Sequence, residues 1–187
     1  AQETPAVAQS IPDTLDYQTK AKGAVLIDAQ TGRVLFAQNA NARLPMASTT
    51  KIMSALLTLE QDGLDEWFTV DSDAIRVEGS SMGLREGDLV TLRALAYGML
   101  LPSGNDAANA AAVRIAGSKQ RFAELMNQRA QELGLEDTSF VTPSGLDDPN
   151  HYSSAYDMAL LAREALEIPL FAEICSKSSA AVEFGNP

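Results

Sequence analysis

Cysteine is nearly absent from this 187-residue chain: Cys175 stands alone, so no disulfide can form within it. Histidine is as scarce. His151 is the only one, and without a Cys/His cluster the ligand spacing of a zinc site is missing. Basic residues are outnumbered, 14 against 25 acidic, for a net charge of −11. That balance argues against nucleic acid as a partner and against a basic patch for anionic membranes. No apolar run is long enough for a transmembrane helix, and no signal-peptide core is read in these residues. What remains has an ordinary globular composition, 45% hydrophobic. A chain of this length buries roughly 70% of its unfolded surface without covalent staples.

Periodicity and punctuation outline the elements. Apolar runs at 24–28 and 33–37, joined by Ala29-Gln30-Thr31-Gly32, predict a hairpin. A buried helix is expected over 49–59. Short apolar stretches at 68–70 and 89–90 flank a polar segment, 71–88, expected to form small hairpins and loops. A helix over 92–100 should stop at Pro102, and another should start at Asp106. From Ser118 a long amphipathic helix is expected, with Phe122, Leu125, Met126, Ala130 and Leu133 as its buried stripe and Gly134 as its end. Ser154-Ala155-Tyr156-Asp157 reads as a capping box for a helix to about 165. Residues 181–184 read as a strand, and Cys175, after the apolar run 170–174, as a small buried hydrophobe. His151 borders the turn 147–150 and is expected to be structural or to line a cleft rim, with catalysis as a lesser alternative. The polar, proline-containing residues 1–17 are expected to be a disordered segment ahead of one domain, 18–187. Helices clustered with antiparallel strands make the class α+β.

Two motifs carry chemistry. Ser48-Thr49-Thr50-Lys51 places a hydroxyl and an amine three residues apart, on one face of the expected helix. A neutral amine there can take the serine proton and make a nucleophile. A capping serine followed by a solvated lysine gives the same four letters. Ser103-Gly104-Asn105 lies between two expected helices, where a hydroxyl and a carboxamide can project into a cleft. A turn built for local backbone reasons uses the same residues.

Together the motifs resemble the penicillin-recognising serine acyltransferases, whose signature is S-x-x-K, S-D-N and K-T-G, although this chain has S-G-N in place of S-D-N. The S-G-N variant and its surroundings are similar to the low-molecular-mass D-alanyl-D-alanine carboxypeptidases. Gly23-Ala24-Val25-Leu26-Ile27-Asp28, Pro45-Met46-Ala47, Met99-Leu100-Leu101-Pro102, Pro143-Ser144-Gly145-Leu146 and Tyr152-Ser153-Ser154-Ala155-Tyr156-Asp157 extend the likeness from about residue 23 to the C-terminus. The resemblance implies a β-lactamase/transpeptidase-like fold, a helical lobe on a five-stranded antiparallel sheet. Only the two N-terminal strands of that sheet are expected here. Its last strands and closing helix, and the K-[TS]-G triplet, are expected beyond residue 187. It further implies catalytic Ser48, Lys51 and Ser103, with Asn105 binding substrate and fixing Lys51. The implied substrate is a peptidoglycan stem peptide ending in D-Ala-D-Ala, with β-lactams as inhibitors and no cofactor or metal. The implied location is exported and extracytoplasmic, consistent with an N-terminus, Ala1-Gln2-Glu3-Thr4-Pro5, of the kind expected after cleavage behind a small-residue site. Membrane contact is expected only through a C-terminal anchor outside these residues. A β-lactamase is the nearest alternative, though no Glu-x-x-x-Asn occurs between 141 and 154. A non-catalytic cell-wall-binding relative is the other.

Overall fold

The computed structural model describes residues 11–14 and 17–185. Among the described residues, six α-helices form one packed lobe, joined by two small antiparallel sheets. Strand β1 (Ala24–Ile27) pairs with β2 (Val34–Gln38), and β3 (Phe68–Thr69) with β4 (Leu89–Val90). The first hairpin turns through Asp28-Ala29-Gln30-Thr31-Gly32, where the Asp28 carboxylate accepts the Thr31 N–H at 2.7 Å. Helix α1 (Lys51–Leu59) is the axis of the lobe and packs on α2 (Leu92–Leu100), α3 (Asn105–Ala116), α4 (Lys119–Glu132), α5 (Ala155–Leu166) and α6 (Pro169–Cys175). Helix α5 also backs β1 and so joins the hairpin to the lobe.

Three of the helices start on a side-chain cap. Thr91, Ser118 and Ser154 each adopt extended backbone, and their hydroxyls accept the N–H three residues on. Each such cap contributes about 1 kcal/mol. The core runs along α1 and outward: Met53, Leu56, Leu95, Met99, Phe122, Met126, Leu161 and Ile174 are at most 1% exposed. Burying side chains of this size stabilises by roughly 1.5–3 kcal/mol apiece.

Several expectations change on contact with the structure. The expected helix over 49–59 opens with a 3-10 turn, Ala47–Thr50, and becomes α-helical at Lys51. Segment 71–88 contains turns and loops, with no hairpin of its own. Leu125 is 38% exposed and not part of the buried stripe. Cys175 is exposed, at the last turn of α6, a helix whose seven residues are too few to show a period. Residues 181–184 form no strand; only Gly185 pairs, exchanging both hydrogen bonds with Leu89 at 3.1 Å. Most of the expected disordered segment lies outside the described residues. The described part is tied down: Thr14 exchanges hydrogen bonds with Ala37, Asp13 accepts from the Asn39 N–H, and the Tyr17 ring packs edge-on against Phe36. No helix among the described residues is long and apolar enough to cross a membrane.

Candidate active site

Ser48 sits in the 3-10 turn leading into α1, exposed to solvent, while Lys51 one turn later is 2% exposed. Ala47, just before Ser48, has φ +45°, an unfavourable conformation for a residue with a side chain. Such strain persists only where surrounding structure enforces it. The enforcing contact is Gly145, with φ +88°: a Cβ there would overlap the Ala47 carbonyl, so only glycine lets the 141–146 loop lie against this turn.

Lys51 Nζ has three oxygen partners. It donates to Asn105 Oδ1 at 2.7 Å, to the Ser144 carbonyl at 2.8 Å and to Ser48 Oγ at 3.3 Å. The Asn105 amide is oriented by its other end, whose Nδ2 donates to the Glu78 carbonyl at 2.8 Å. Gly79 permits that approach, since a Cβ at its φ of +88° would stand 2.8 Å from Nδ2. Burial drives the Lys51 pKa down to about 8, against a smaller upward pull from the Asp106 carboxylate. An ammonium offers three N–H groups to three acceptors. A neutral amine keeps two N–H groups for the closer pair, Asn105 and Ser144, and turns its lone pair toward Ser48. One geometry thus serves both protonation states. Ser48 N–H has no intramolecular acceptor among the described residues.

Asp106 is the second residue of α3 and is 1% exposed. Its carboxylate accepts from Ser81 Oγ at 2.6 Å and from the N–H groups of Met82, Gly83 and Leu84 at 2.9–3.1 Å. Burial raises its pKa, but the Ser81 hydroxyl and the N–H groups of Met82, Leu84 and Ala107 outweigh that and hold it below the ordinary carboxylate value. Residues 78–84 are thereby fastened to the helix that carries Asn105, and the Ser80 carbonyl accepts the Asn105 N–H at 2.7 Å.

The structure brings Ser48, Lys51 and Asn105 into one hydrogen-bonded group. Ser103 is placed beside Asn105 at φ +59°, half-buried, and its hydroxyl has no hydrogen bond to Ser48 or Lys51 among the described residues. Sequence reasoning missed the Ser144 carbonyl, Asp106, Gly79 and Gly145. The signals were thin: an acid straight after Ser-Gly-Asn, and glycines in two loops. His151 takes the structural one of its expected roles: 4% exposed, it bridges Thr50 and Val141. Among the described residues no three His, Cys, Asp or Glu side chains converge as a metal site.

The crystal structure of the D-alanyl-D-alanine carboxypeptidase DacD from Francisella tularensis matches with a TM-score of 0.83 and 33% identity, covering 91% of this chain and 43% of that one. Penicillin binding protein 6B from Escherichia coli matches at 0.80 and 37%, covering 92% and 59%. The fold is therefore that of the penicillin-binding DD-peptidases. In sequence, D-alanyl-D-alanine carboxypeptidase DacF of Bacillus subtilis is 44% identical over 161 residues, 82% of this chain and 41% of the relative. The profile of the D-alanyl-D-alanine carboxypeptidases matches residues 6–185, and the chain belongs to that family. It spans about two fifths of the length of most of the curated relatives it matches.

Proposed function

We propose that this chain carries the nucleophile and base of a serine-type D-Ala-D-Ala carboxypeptidase, which removes the terminal D-alanine from peptidoglycan stem peptides. Ser48 Oγ attacks the carbonyl of the penultimate D-alanine as its proton passes to neutral Lys51. The free Ser48 N–H offers one donor to the developing oxyanion, a contribution of roughly 3 kcal/mol. The proton on Lys51 then reaches the departing D-alanine nitrogen, with the uncommitted Ser103 hydroxyl as relay. Asn105 fixes Lys51 through Oδ1, and its second Nδ2 hydrogen is left for the substrate backbone. Water attacks the acyl-enzyme, releasing the shortened peptide and restoring Ser48. A β-lactam acylates the same oxygen but keeps its leaving group tethered, so the adduct persists. Peptidoglycan as substrate places the protein on the outer side of the cytoplasmic membrane.

The carrying observation is the Lys51 amine, buried, with two hydrogens held by Asn105 and Ser144 and its remaining position facing Ser48. The test is intact-mass analysis of the full-length protein with benzylpenicillin. One adduct is expected, lost in Ser48→Ala. An adduct that survives Ser48→Ala overturns the assignment. Rapid nitrocefin turnover would make the protein a β-lactamase instead.

A further inference from the structure

His151 makes no hydrogen bond to Ser48 or Lys51, yet it ties together the two segments that place them. Nδ1 accepts the Val141 N–H at 2.9 Å and, at 3.4 Å, the Thr142 N–H. Nε2 lies 2.7 Å from the Thr50 hydroxyl. A nitrogen that accepts from amide N–H groups bears no proton, so the single proton of the neutral ring sits on Nε2 and is donated to Thr50 Oγ1. An imidazolium would set an Nδ1–H against the Val141 N–H, two donors at hydrogen-bond distance. The clamp exists only with a neutral ring.

The joined segments are the two halves of the site. Thr50 lies between Ser48 and Lys51. Val141 and Thr142 begin the loop whose Pro143 carbonyl accepts from Ser54 Oγ at 2.6 Å and whose Ser144 carbonyl accepts from Lys51. We propose that His151 is a positioning residue for Lys51: its neutral imidazole fastens the 141–146 loop to the Ser48–Lys51 turn, and protonation opens this clamp and loosens the Ser144 contact that aims Nζ at Ser48. The proposal rests on the reading of Ser48 as nucleophile and Lys51 as base. The charged groups that act on the ring are Asp148 and Asp147 from its own loop; Phe140 packs edge-on at 5.9 Å. Burial lowers the ring's pKa below the ordinary histidine value, and the two aspartates only partly oppose it. The clamp is therefore closed at neutral pH and opens in acid.

Two measurements on the full-length, untagged protein test this. The first is the ring nitrogen spectrum of 15N-histidine-labelled protein, with the His151 signals assigned by their loss in His151→Asn. The expected pattern is a protonated Nε2 and a bare Nδ1, titrating below the ordinary histidine range. A neutral ring with its proton on Nδ1 overturns the clamp, whatever the acylation data show. The second is the rate of Ser48 acylation by a fluorescent penicillin against pH. The rate should fall with the first power of proton concentration below the Lys51 midpoint, then with the square once His151 also protonates. In His151→Asn, Oδ1 takes the place of Nδ1 toward Val141 without titrating, so first-power behaviour should extend through the acid range. His151→Ala should acylate about tenfold more slowly at pH 8, the effect of one misplaced hydrogen bond, with penicillin affinity unchanged. Superimposable profiles for wild type and His151→Asn overturn the role, and they remain decisive if His151→Ala does not fold. Absence of any adduct on Ser48 refutes the functional reading instead, and leaves the tautomer result standing.

Discussion

At the scale of single residues, the site depends on where Lys51 keeps its proton. A lysine in water has a pKa near 10.5, so only about one in 3,000 is neutral at pH 7. Burial brings Lys51 to about 8, which makes roughly one in ten neutral. Desolvation thus raises the neutral fraction of Lys51, the form the proposed mechanism uses, by about 300-fold. The sign of the pH dependence follows: acylation of Ser48 should rise with pH and level off above about 8. Lys51→Arg cannot present a lone pair, because a guanidinium stays charged, and should lose at least ~1,000-fold at every pH. Stopped-flow acylation between pH 6 and 9.5 reads both. A flat profile in the wild type would remove Lys51 as the base. The same shift has a stability consequence. Because the folded pKa is lowered, the unfolded chain binds more protons between pH 8 and 10.5, and this residue's burial cost, full below pH 8, fades across that window.

At the scale of elements, α3 couples the site to the loop beside it. Asn105 and Asp106 are successive residues at its first turn. One holds Lys51, and the other gathers the N–H groups of residues 82–84. The Asp106 charge also pulls the Lys51 pKa up. Asp106→Asn should therefore act in two directions. It loses charge-assisted hydrogen bonds and leaves N–H groups poorly matched, a destabilisation of about 2–4 kcal/mol. It also removes a negative charge near Lys51, so the acylation midpoint should move below 8. Thermal melting and the pH–rate profile separate the effects, and a midpoint that stays or rises contradicts the electrostatic link. This element also shows what the sequence discloses. Ser48, Lys51 and Asn105, which the structure brings together, stand in short motifs, and Ser118 and Ser154 mark helix starts, so both were readable. The acceptors that organise the site are main-chain carbonyls of Glu78, Ser80 and Ser144, and a carbonyl leaves no trace in residue identity. Helix α6 was missed because two turns are too short for a period. The 181–184 strand failed because alternation in sequence says nothing about whether a partner lies alongside.

At the scale of the whole molecule, the lobe is built around an alanine-rich wedge. Ala107, Ala108, Ala110, Ala111 and Ala112 are all at most 2% exposed, and α3 packs on α1, α2 and α4. In sequence that run signals only helix propensity; its meaning, close approach from three sides, is visible only once the neighbours are in place. Gly98 confirms the tightness, since a Cβ there would lie 3.0 Å from the Ala107 Cβ. The wedge is what carries Asn105 to Lys51, so packing and site geometry share one element. Ala111 is 0% exposed in the middle of the wedge, where added methylenes meet side chains already in contact. Ala111→Leu should destabilise by about 1–3 kcal/mol, seen as a fall in Tm of several degrees. Because α3 must shift to admit the larger side chain, acylation of Ser48 should slow as well, without a change in the Lys51 midpoint. Leu125→Ala, at a position 38% exposed on α4, should move neither by much and serves as the control. A folded Ala111→Leu protein with wild-type Tm and wild-type acylation would mean that α3 has slack against its neighbours, and that the distance from Asn105 to Lys51 is set by the loops alone.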